Sequence, residues 1–159
     1  MSGTWFAVLG RQADTLMLDA RDACLRWPRV SVLELGPVPA APPRARQHVR
    51  TVLGEWGVPR WLAADAEMLC AELMANALRA TLALTPPQPV GLRLLANDQR
   101  LVIEAWDAHP GEPVRRVAGP AAESGRGLAI VEELSNRWGS RRLSQHVKAV
   151  WAELLLPRA

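Results

Sequence analysis

Apolar residues recur along this chain at two different periods, and the switches between them mark out its elements. From Trp61 to Leu84, the residues Leu62, Ala66, Leu69, Leu73, Ala77, Ala80 and Leu84 fall three or four positions apart, which is one face of a helix. Ala45 to Trp56 predicts a second helix, ended by Gly57 with Pro59 just beyond, a common stop signal. Gly127 to Arg137 predicts a third, with Leu128, Val131 and Leu134 on one side and Trp138-Gly139 as its break. A weaker helical pattern runs from Asp14 to Trp27, through Leu16, Ala20 and Ala23. Alternation marks the strands. Val30 to Leu35 ends at Gly36-Pro37, Val90 to Ala96 and Arg100 to Asp107 flank the turn Asn97-Asp98-Gln99, and Ser140 to Gln145 with Lys148 to Leu156 form a last hairpin. The proline-rich run 37–43 and the aperiodic run 108–124 read as loops.

Consecutive antiparallel hairpins with helices gathered between them predict an α+β fold: a two-layer α/β sandwich with a mixed, mostly antiparallel sheet. The length of 159 residues suits one domain. Residues 30–159 are expected to form it, with 1–29 as an N-terminal extension. A content of 49% hydrophobic and 22% charged residues excludes collagen-like, disordered and disulfide-scaffold chains. The net charge is only +3, and of 19 basic residues Lys148 alone is Lys. The arginines are scattered rather than clustered, so the excess reads as compositional bias and nucleic acid ranks low as a partner. Cys24 and Cys70 lack metal-ligand spacing; buried free thiols are expected, and a zinc site is not. No apolar run reaches the length of a membrane span, and Met1 to Leu9 carries no charged n-region. A soluble, cytoplasmic protein with no membrane partner is expected.

Polar chemistry interrupts the packing pattern in three places. Glu72 and Asn76 are four residues apart and stack on the shoulder of the long helix's apolar stripe. Oxygen ligands placed there suit a hard cation, and a carboxylate there can orient a hydroxyl; a solvated helix shoulder is the plainer alternative. Asp107 shares a strand face with Leu101, Ile103 and Ala105, which places it at the rim of the space between the layers. It can accept a bond from an exocyclic amine, or simply begin the turn Asp107-Ala108-His109-Pro110. Trp106 faces the opposite way. Glu123-Ser124-Gly125-Arg126-Gly127-Leu128 puts two glycines around an arginine where a loop enters a helix. That arrangement lets backbone N–H groups approach an anion at the positive end of the helix dipole, although it also fits an ordinary helix start.

In this order these segments resemble the GHKL ATP-binding superfamily. They are most similar to the stand-alone histidine-kinase-like ATPase domains of actinobacteria, related to the anti-sigma-factor serine kinases. The resemblance rests on Ala71 to Arg79, Ile103 to Asp107, Glu123 to Val131 with Arg137-Trp138-Gly139, and Val150 to Leu154, and it covers residues 30–157. It implies a Bergerat-type ATP-binding fold holding ATP and Mg²⁺ between sheet and helices. Asn76 would bind Mg²⁺, and Glu72 would act as general base or orient the attacking hydroxyl. Asp107 would accept the adenine amine. Ser124, Gly125, Arg126, Gly127 and Leu128 would surround the phosphates, with Lys148 also facing a phosphate, and residues 108–124 would form a lid. The sequence departs from the family pattern at Ala108-His109-Pro110-Gly111, where the first glycine is missing. It departs again at Val147-Lys148-Ala149, where relatives commonly carry Gly with Thr or Ser.

The resemblance implies an ATP-dependent serine/threonine protein kinase that regulates transcription by phosphorylating an anti-sigma antagonist-like protein. A sigma factor would be a second partner, and a homodimer is a further expectation. The two departures support an alternative, a catalytically weak or inactive nucleotide-binding module that regulates by sequestering its partner.

Overall fold

The structure is a computed structural model describing residues 26–111 and 127–158. The helix expected over Asp14 to Trp27, Cys24 and most of the 1–29 extension lie outside the described residues, as do most of the expected lid and Ser124, Gly125 and Arg126.

The elements are β1 (Arg29–Leu35), α1 (Ala41–Glu55), α2 (Arg60–Leu82), β2 (Val90–Ala96), β3 (Arg100–Asp107), α3 (Gly127–Leu134), β4 (Arg137–Ser144) and β5 (Val147–Leu155). The strands form one five-stranded sheet in the order β1-β2-β3-β5-β4. Every ladder in it is antiparallel, so the sheet is antiparallel throughout the described residues. The helices cover one face. Strand alternation delivers Leu92 and Leu94, Leu101, Ile103 and Ala105, and Val150, Ala152 and Leu154 to the same buried cluster as Leu69, Leu73 and Met74 of α2 and Val131 of α3. Burying side chains of this size contributes about 1.5–3 kcal/mol each. The helical layer is thereby fixed over β3 and β5, the strands that carry the polar candidates. Cys70 is a buried free cysteine, and burial pushes its thiol up to about 12.

Three expectations are corrected. Helix α1 begins at Ala41, inside the proline-rich run read as a loop. Pro42 and Pro43 occupy its first turn, where the missing N–H groups have no intrahelical partner to lose. Helix α3 stops at Leu134 rather than Arg137. The Ser135 N–H and hydroxyl both donate to the Val131 carbonyl, and Asn136 and Arg137 turn their side chains to Glu153 of β5. Trp138 and Gly139 consequently lie within β4 instead of breaking a helix. Trp61, in the first turn of α2, is 62% exposed.

The outer face of the sheet has its own construction. Gly91 pairs directly with Trp106, and Gly139 with Trp151. A Cβ on Gly91 would come within 1.9 Å of the Trp106 indole, and one on Gly139 within 3.0 Å of Trp151. Each indole thus lies over a glycine whose lack of a side chain makes the room. Beside them, Glu104 is held by Arg93 at 2.8 Å and Arg141 at 3.0 Å. Trp106 turns away from the helices, as strand parity predicts.

Candidate functional site

Helix α2 buries Leu69, Cys70, Leu73, Met74 and Ala77. That leaves Glu72 and Asn76 half-buried on its shoulder, one turn apart, as the spacing predicts. What spacing does not reveal is the neighbour. A Cβ on Gly127 would lie 2.7 Å from Glu72 Oε2 and 3.9 Å from Arg79 Nη2. Any larger residue at this position would have to displace the carboxylate. Gly127 opens α3, and the first turn of a helix presents unpaired N–H groups and the positive end of the dipole. The Glu72 carboxylate therefore lies beside the positive end of α3. Leu128, the next residue, is buried in the core cluster, so its side chain packs and only its backbone remains for a ligand.

The second part of the site lies at the end of β3. Asp107 is 1% exposed and is on the helix-covered side, in step with Ile103 and Ala105. It also starts a turn, because the His109 N–H donates to its Oδ1 at 2.8 Å. The turn reading of Asp107 is thus the one observed. Lys148 stands directly opposite in the ladder, equally buried, with its ammonium 3.4 Å from the same Oδ1. That ammonium donates to the Gly111 carbonyl at 2.6 Å, and the Gly111 N–H donates to His109 Nδ1 at 2.9 Å. Arg142 donates to the Pro110 carbonyl. Burial pushes the Asp107 carboxyl above the usual aspartate range, against the pull of the His109 N–H and of Lys148. Lys148, expected to face a phosphate, is placed at the Asp107 end of the site.

These residues fit a Mg²⁺-nucleotide. The described residues hold no group of three or more His, Cys, Asp or Glu side chains able to cage a metal. Mg²⁺ needs no such cage: it commonly takes one or two protein oxygens and completes its shell with water and substrate phosphates. Asn76, half-buried on the shoulder of α2, offers one amide oxygen of the kind such an ion takes, and the Glu72 carboxylate lies one turn away.

Comparison with known proteins bears on the same residues. The chain belongs to the histidine kinase-like ATPase domain family, whose model matches residues 37–153. That span includes Glu72, Asn76, Asp107, Gly127 and Lys148, and membership implies ATP binding. Among curated proteins, none matches the chain. Solved structures that share the fold include two of particular interest. One contains the RsbU and RsbW domains of Rv1364c from Mycobacterium tuberculosis, at 18% identity and a TM-score of 0.60 over 82% of this chain. This chain spans about a third of that one, 34%. The other is the SiaB-SiaC complex from Pseudomonas aeruginosa, at 16% identity and a TM-score of 0.57, covering 89% of this chain and 99% of that one. No helix among the described residues is long and apolar enough to cross a membrane.

Sequence reasoning missed His109, Gly111 and Arg142 as supports of Asp107. Strand parity carried a usable signal for part of this, since Asp107, Lys148 and Arg142 occupy one transverse row of β3, β5 and β4.

Proposed function

We propose that this domain binds Mg·ATP and transfers the γ-phosphoryl group to a serine or threonine hydroxyl of a partner protein, an anti-sigma antagonist-like domain. The observation that carries the reading is the approach of Glu72 to Gly127, which sets a candidate base against the helix start where phosphates would bind. In the transfer, the hydroxyl oxygen bonds to the γ-phosphorus, the bond to the bridging oxygen of ADP breaks, and Glu72 orients the hydroxyl or takes its proton. Asn76 would hold Mg²⁺, which when bound offsets the phosphate charge. Asp107 would accept the adenine amine. Gly125, Arg126 and Gly127, with Ser124 and the Leu128 N–H, would line the phosphates. The solved neighbours support a protein partner: one is a complex of SiaB with SiaC, and the other joins an RsbW domain to an RsbU domain. A cytoplasmic role in transcription control, a sigma factor as second partner and a homodimer go with this reading.

The test is transfer of labelled γ-phosphate to a candidate partner. Glu72→Gln should reduce transfer at least about 100-fold while ATP still binds. Asn76→Ala should remove the Mg²⁺-dependent part of ATP binding without unfolding the domain. Equal Mg·ATP affinity in Asn76→Ala would overturn the metal assignment.

The occupation of Asp107 by Lys148, at one of the two departures from the family pattern, favours a second reading: a nucleotide-binding module that sequesters its partner without phosphorylating it. Tight ATP binding with no transfer, unchanged in Glu72→Ala, would establish that reading over the first.

A further inference from the structure

We propose that Lys148 reads the adenine base, donating to ring nitrogen N1 while Asp107 accepts from the neighbouring exocyclic amine. The proposal rests on the ATP-binding reading and assigns a base-recognition role to a residue whose sequence position suggested phosphate.

Three observations carry it. The first is register: Asp107 and Lys148 are direct partners across β3 and β5, on the face that the helices cover. Carboxylate and ammonium stand side by side, 3.4 Å apart, with 1% and 3% of their side chains exposed. The second is valence. An ammonium has three donors. Among the described residues, Lys148 directs one to the Gly111 carbonyl and one toward Asp107 Oδ1, which leaves a third for a ligand. The third is composition. The chain uses Arg eighteen times and Lys once, and the single Lys stands here. A compact ammonium on a flexible stem fits beneath Gly111 and beside Asp107, whereas a planar five-donor fork is far harder to satisfy in so buried a place.

The base chemistry follows. Adenine presents an amine donor at N6 next to an acceptor at N1, and an acceptor beside a donor in the protein is its complement. Guanine presents an N1–H donor in the same place, which would meet the Lys148 ammonium donor to donor. Asp107 alone is acceptor-only and can take an N–H from either base. Lys148 therefore supplies both the second bond to adenine and the repulsion against guanine, the two halves of a specificity device. The buried pair is neutral overall, so a neutral base adds no uncompensated charge to the site.

Calorimetry on the whole chain tests this with ATP, 1-deaza-ATP (N1 replaced by C–H) and GTP. The wild type should bind ATP about tenfold more tightly than 1-deaza-ATP. Lys148→Met should bind the two within about twofold, with a narrower gap between ATP and GTP. Equal binding of ATP and 1-deaza-ATP by the wild type overturns the proposal with no variant needed. So does a Lys148→Met protein that keeps the wild-type ratio. A wild type that binds no ATP overturns the nucleotide reading itself and this proposal with it, an outcome distinct from the other two.

Discussion

Asp107 on the helix-covered face of the sheet and Glu153 on the outer face are both buried carboxylates, and their surroundings treat them in opposite ways. Glu153 receives two bonds from Arg137, at 3.2 and 2.9 Å, and one from Asn136 at 2.9 Å, with Arg100 at 3.7 Å. Arg137 first, then Asn136, hold it below the usual glutamate range in spite of burial. Asp107 has one backbone N–H at 2.8 Å and an ammonium at 3.4 Å, and burial prevails. A carboxylate saturated by guanidinium and amide donors ties strands together. A buried carboxylate with fewer donors keeps bonding capacity, which a ligand can use. The outer carboxylate is saturated, and the inner one keeps capacity that the proposed adenine amine would use.

The largest effect should come from breaking the outer clamp. Glu104→Ala removes the shared partner of Arg93, a side chain only 11% exposed, and should cost about 3 kcal/mol in chemical denaturation. A loss below about 1 kcal/mol would show that the clamp contributes little. Gly91→Ala should cost about 2 kcal/mol, because the indole of Trp106 must move from over the glycine. Trp106→Leu combined with Gly91→Ala should recover part of that loss, and strict additivity would contradict the pairing.

A smaller effect separates the two carboxylates by the sign of their pH dependence. The folded-state pKa of Glu153 lies below its unfolded value, so the unfolded chain binds more protons and stability falls as pH drops through and below the usual glutamate range. Glu153→Gln should flatten that acid limb. Asp107 has its folded value raised, so its contribution runs the other way: stability falls as pH rises through the window above the usual aspartate range. Denaturation midpoints measured across pH for the wild type and each single variant should show the two opposite slopes. The smallest effect on stability belongs to Asp107→Asn combined with Lys148→Met, which replaces both members of a buried pair. It should lie within about 1 kcal/mol of wild type yet lose most ATP affinity in calorimetry. A large destabilisation would mean that the inner pair is structural like the outer ones.

Much of this was legible from spacing alone. Both hairpins, the long helix and the shoulder position of Glu72 and Asn76 follow from periods of two and 3.6, since burial on one face enforces those periods. Asp107 was placed on the correct face by parity, and Trp106 on the other. The errors arose where a local signal met a stronger distant one. Prolines read as loop were admitted to the first turn of α1. The helical run toward Arg137 was ended by Glu153, seventeen and sixteen residues beyond Asn136 and Arg137.

The sequence by itself determined the layers, the apolar stripe, the order of the polar segments and the family resemblance, because each is encoded in local periodicity or a short motif. Tertiary structure alone decided what those segments meet. It brought Glu72 against Gly127, set Lys148 beneath Gly111 beside Asp107, and laid two indoles over two glycines. Such contacts depend on which residues stand opposite across strands and between layers. That is fixed only when the core packs and register is chosen for the whole sheet at once.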